Sequence, residues 1–150
     1  MLRKTPVAAL ALALAAGAAL AAVKPNTPTP MPKVQAQMKD VVDRTSTDLF
    51  NTAGEADPAN GPDAKAPNAA AWARLKADAD KLKSVADWML QPANGKTTEA
   101  NWTAAAKAMS AQSALASKAA AAHDAKALAL AANDLSDTCT SCHKVYKKQE

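Results

Sequence analysis

The sequence predicts an all-α protein, an antiparallel four-helix bundle whose last helix carries a Cys-x-x-Cys-His motif. Three observations carry that prediction. Apolar residues return at three- and four-residue steps in four separate stretches, the spacing of a helix face. No stretch alternates apolar and polar residues as a strand would. Between the stretches stand Pro, Gly and Asn-Gly breakers, with one alanine-rich exception near the C-terminus.

The N-terminus stands apart from the bundle. Arg3 and Lys4 give a short positive region, Val7 to Leu20 is an almost unbroken Ala/Leu run, and Ala19-Leu20-Ala21 fits a small-x-small cleavage site. This is the pattern of a secretory signal peptide over residues 1–21, cleaved near Ala21. The run is too short and too rich in alanine for a permanent membrane span, and no cysteine follows it to carry a lipid. The mature chain is therefore expected to begin near Ala22 and to be exported, which in a bacterium means the periplasm. Losing Arg3 and Lys4 brings the formal net charge from +4 down to +2. With no dense basic stripe among aromatics, nucleic-acid binding is not expected.

Residues 22–32 hold four prolines between Pro25 and Pro32 and read as an extended arm. The bundle proper is expected over 33–150. Its first helix runs from Lys33 to about Asn51, with Val34, Met38, Val41, Val42, Thr45 and Leu49 on one face. Gly54, Pro58, Gly61, Pro62 and Pro67 make residues 52–68 a long loop. The second helix spans Ala69 to Leu90, with a heptad-type seam of Trp72, Leu75, Ala79, Leu82, Ala86 and Met89. Pro92 and Asn94-Gly95 close it.

The third helix opens at Thr97 or Thr98, with Glu99 in its first turn where the helix dipole favours an acid. Trp102, Ala105, Ala106, Met109, Ser113 and Ala116 face inward. A break is placed near His123-Asp124, with Asp124 as the N-cap of the fourth helix. That helix carries Leu128, Ala131, Leu135, Cys139 and Cys142 along one face, so the motif points into the core. With one Phe, one Tyr and much alanine, such a bundle has a thin core.

Cys139 and Cys142 are the only cysteines, and His143 follows directly. C-x-x-C-H is read as a c-type haem attachment site. At about 100° per residue the three side chains fall within roughly 100° of arc, with Cys139 in the middle. One helix face then offers two thiols to the porphyrin vinyl groups and an imidazole to the iron. Rival readings are weaker. Structural zinc needs four ligands, and His123 is the only other His or Cys. A thioredoxin-like motif needs a βαβ context. A disulfide between the two cysteines leaves His143 without a role.

With these features the chain resembles the class II c-type cytochromes, comprising cytochrome c′ and its low-spin cytochrome c-556 relatives. The resemblance rests on Cys139-Thr-Ser-Cys142-His143 in the last helix, four helices of suitable length over residues 33 to 148, and an exported precursor. It implies one covalent haem c per chain, thioethers at Cys139 and Cys142, and His143 as proximal iron ligand. The sixth position would decide the function. In low-spin members a Met of the first helix binds the iron, and Met38 matches that place; its other reading is a core gap-filler. A Met/His pair suits electron transfer by raising the reduction potential. An open site would instead bind NO or CO, as cytochrome c′ does.

The sequence departs from the family in one respect. Members often place an Arg one turn before that Met, against a haem propionate, where this chain has Val34 beside Lys33. By analogy the resemblance also leaves room for a homodimer through the first two helices, and it implies redox partner proteins not named by the sequence. The remaining candidates have plainer readings. Met89 and Met109 fall on helix seams as core residues, and Met31 lies between prolines. Trp72, Trp88 and Trp102 read as core or haem-packing residues, with Trp88, off the seam, alternatively facing a partner or a second subunit. His123 reads as a solvated turn residue, and Lys144, Lys147 and Lys148 as cations suited to a helix C-terminus, with a docking patch or a propionate contact as their other reading. No paired carboxylates, Ser/His/Asp set or phosphate loop is present, so an electron carrier rather than an enzyme is expected.

Overall fold

A computed structural model of the chain describes residues 31–147, and these are all-helical, with no strand among them. The expected signal peptide (1–21), residues 22–30 of the arm and Lys148 lie outside the described residues. The first long segment is α1 (Pro32–Gln37), a π-helical turn (Met38–Val42) and α2 (Asp43–Ala56), joined without a break. α3 (Ala69–Met89), α4 (Ala100–Ala121) and α5 (Ala125–Tyr146) follow. No helix among the described residues is long and apolar enough to cross a membrane.

Helix starts and stops follow local chemistry. Pro32 opens α1 at its first position, one residue earlier than expected, where its missing N–H costs nothing. The Oδ1 of Asn68 accepts from the Ala71 amide at 2.9 Å and caps α3. Asp124 caps α5 in the same way, its Oδ1 accepting from the Ala127 amide at 2.9 Å. The alanine-rich boundary therefore falls where Asp124 predicted it. His123 makes the turn, with φ of 54°, a left-handed conformation that His tolerates better than most residues.

Two expectations are corrected. The first helix continues past Asn51 to Ala56, and the connection to α3 is shorter for it. Ala53 and Ala56 are buried at 1% and 3% exposure. Their packing outweighs the cost of roughly 1 kcal/mol for Gly54 in a helix. Asp57 then ends the run, and a 3₁₀ segment (Pro58–Asp63) turns through Gly61 at φ 59°. The third helix begins at Ala100, because Glu99 is still extended and pairs with Lys96 at 2.8 Å. Trp88, though off the seam, is half-buried against the core, in keeping with its core reading.

Pairwise contacts give the helix directions. Ser110 Oγ donates to Asp87 and Ser117 Oγ to Asp80, both at 2.6 Å, so α3 and α4 run antiparallel. Trp102 near the start of α4 meets Tyr146 at the end of α5, ring centroids 5.1 Å apart, so these two are antiparallel as well. Arg74 Nε donates to Asp48 at 2.6 Å, tying α3 to α2. The seam residues of α3 predicted from the heptad are all buried, and Leu49, Leu75, Leu82, Leu128 and Leu135 are nearly inaccessible.

Candidate functional site

Between the first segment and α5 opens a cleft of about 530 Å³, within the range of roughly 300–1,000 Å³ usual for small-molecule and cofactor sites. Cys139, Cys142 and His143 line one side of it, and Met38, Val34 and Val42 line the other. A narrower recess of about 40 Å³ runs inward from the same residues, ending on Ala105, Ala106 and Met109. The motif and Met38, distant in sequence, thus meet at one site.

The motif side owes its position to α5. Leu128, Leu135 and Ala131 are buried at 0%, 1% and 4% exposure, which fixes the rotation of the helix. Cys139 lies four residues beyond Leu135 on the same face, and Cys142 three further. Both thiols are free and half-buried. Burial pushes both thiols above the usual cysteine range, and for Cys142 the neighbouring Cys139 adds to it. They stay protonated at neutral pH. His143 sits exposed at the mouth of the cleft. The partial covering of its ring, and then the charge of Lys147, hold its pKa below the ordinary histidine value. A neutral imidazole is the form able to bind a metal.

The opposite side owes its shape to the π turn. The Asp43 amide donates to the carbonyl of Met38, five residues back, and the Thr45 hydroxyl bonds the carbonyl of Val41. Val34, Val42, Thr45 and Leu49 are buried in the core, and Met38 is half-buried on the cleft wall. Single π turns inside α-helices are found frequently at functional sites. Nothing in the periodicity of the sequence signals this one.

The floor is Trp102, 2% exposed. Its Nε1–H donates to the Met89 carbonyl at 3.0 Å, satisfying the buried indole. Gly95 lies over that bond, and a Cβ there would overlap the Met89 carbonyl and the Trp102 ring. Met89 and Met109 are buried as expected of core residues, and both also reach the inner recess. Val34, where an Arg was expected by the family pattern, is buried and apolar.

Some cleft residues were not singled out from the sequence. Lys39, Asp43, Phe50 and Tyr146 all line it, and Lys147, read from the sequence among the C-terminal cations, lines it as well. Tyr146 lies beside Cys142 at helical spacing, which was the one available signal. Desolvation and Glu99 raise its pKa to about 12. Lys96 stands 5.6 Å over its ring. His123 is remote from the cleft and stacks on Trp72, centroids 5.2 Å apart at 12°. The turn was expected; the stacking was not.

The residues present fit a haem of the c type. Two thiols and an imidazole from one helix border an apolar cleft large enough for a cofactor, with a thioether sulfur on the facing wall. Comparison with known proteins found no matching family model, no matching curated protein and no matching solved structure.

Proposed function

We propose that this chain is an exported monohaem cytochrome of the class II c type, a four-helix bundle that carries electrons between redox partner proteins. The observation that carries the reading is the convergence of Cys139, Cys142 and His143 with Met38 on one apolar cleft. Bound there, haem c would supply a one-electron iron couple. Cys139 and Cys142 would each add S–H across a vinyl group, the sulfur taking one carbon and the proton the other. His143, kept neutral by its surroundings, would ligate the iron from α5, and Met38 from the facing wall. A Met/His pair raises the reduction potential. Val34, Val42, Met89 and Trp102 would exclude water, and the open mouth beside His143 would leave an edge accessible for electron exchange.

One observation favours a second reading. The apolar recess next to Met38, lined by Ala105, Ala106 and Met109, offers space for a diatomic gas. With the iron five-coordinate, the protein would then bind NO or CO in the manner of cytochrome c′. The visible spectrum of the ferrous protein, expressed with haem-maturation machinery, separates the two. Sharp split bands unmoved by CO support the six-coordinate carrier. A broad band that sharpens with CO supports the gas-binding protein. A chain that carries no haem through acid–acetone extraction would overturn both and leave a cofactor-free helical protein.

A further inference from the structure

The cleft is apolar along its depth but not at its mouth. Lys39 of the π turn and Lys147 at the end of α5 both line it, from opposite walls. Neither ammonium forms a salt bridge among the described residues, although all three lysines of α3 pair with a carboxylate on the same helix. Asp43, one turn beyond Lys39, is among the described residues the only carboxylate lining the cleft, and it too forms no ion pair there. Two cations that border an apolar slot and form no salt bridge among the described residues suit a flat apolar ligand with an anionic edge. Val34 is buried in the wall, so the position where the family carries an Arg cannot supply that charge.

We propose that Lys39 and Lys147 are positioning residues that grip the carboxylates of the bound group, the haem propionates, from the two walls. This rests on the haem reading above. The macrocycle would enter with its vinyl edge toward Cys139 and Cys142 and its carboxylates toward solvent. The two lysines would then fix its rotation in the slot. An ammonium donates up to three hydrogen bonds as a compact charge. Lysines on separate elements can therefore replace one bidentate Arg. Asp43 opposes the anionic edge, so its removal should strengthen the grip.

The test uses the full haem-loaded chain and its Lys39→Gln, Lys147→Gln, double and Asp43→Asn variants. The resonance Raman bending band of the haem propionates shifts with each hydrogen bond they accept. It should move in each single variant, move furthest in the double, and be restored in Lys39→Arg. The midpoint potential should fall in the lysine variants and rise in Asp43→Asn. A Raman band identical in wild type and double variant overturns the proposal, and does so too if the variants only slow electron exchange with an acidic partner, which would make the lysines a docking surface. If the wild-type chain carries no haem at all, the haem reading itself has failed, a result read before any variant is made.

Discussion

The indole of Trp102 donates its Nε1–H to the carbonyl of Met89 at 3.0 Å, joining the first turn of α4 to the last residue of α3. The bond ties down a helix end that would otherwise leave a carbonyl unpaired, and it holds the floor of the cleft. Both residues also border the inner recess.

Replacing Trp102 with Phe keeps most of the bulk and deletes the donor. The Met89 carbonyl is then buried without its partner, at a cost of about 1–3 kcal/mol. Gly95→Ala should be destabilising by a similar route, since its Cβ collides with the same two groups. Urea denaturation checks both, as a lowered midpoint at unchanged slope. Equal midpoints would show that the bond carries no weight.

Met38→Ala should convert a six-coordinate, low-spin ferrous spectrum to a high-spin one that responds to carbon monoxide. Met89→Ala and Met109→Ala should leave the iron six-coordinate and low-spin and cost about 2–5 kcal/mol of stability as core truncations. An unchanged spectrum in Met38→Ala removes Met38 from the iron.

Asp80 and Asp87 tie α3 to α4 through Ser117 and Ser110. Hydrogen bonds from Lys76 and then Ser117 hold the Asp80 carboxyl below the usual carboxylate range; Lys83 and then Ser110 do the same for Asp87. A carboxylate with a depressed folded pKa stabilises the fold above its unfolded pKa, and the contribution is lost as pH falls through the folded value. Both carboxylates are half-exposed, so solvent screening keeps each effect small. The Asp80→Asn/Asp87→Asn variant should therefore lose less stability than wild type between about pH 7 and pH 3, read by urea midpoints. Equal losses would assign the acid sensitivity to other carboxylates.

Leu135 is 1% exposed and lies one turn before Cys139. Leu135→Ala should cost about 2–5 kcal/mol through the cavity it leaves. It should also lower the yield of covalently loaded protein, because the helix that aims both thiols loses its anchor. Haem-stained denaturing gels measure this second effect. A full yield would mean that the motif is aimed by other contacts.

The long seam of α3 was legible because six core positions recur at regular steps and all are buried. The α4–α5 boundary was legible from a single residue, Asp124, because a cap satisfies orphan amides wherever the helix lies. The end of α2 was not legible. Gly54 and Pro58 argued for a loop, and the burial of Ala53 and Ala56 against other helices decided otherwise. Local breakers express local cost, and packing can exceed it.

The sequence alone determined the helical class, the order of the elements and the identity of the motif, since each depends on residues close together in the chain. Tertiary structure decided what surrounds that motif. Lys39, Phe50 and Lys147 join the cleft only because α5 packs along the first segment, and the same packing sets Met38, half-buried, on the cleft wall opposite Cys139, Cys142 and His143. A cleft is a property of facing surfaces, so no single helix period encodes it.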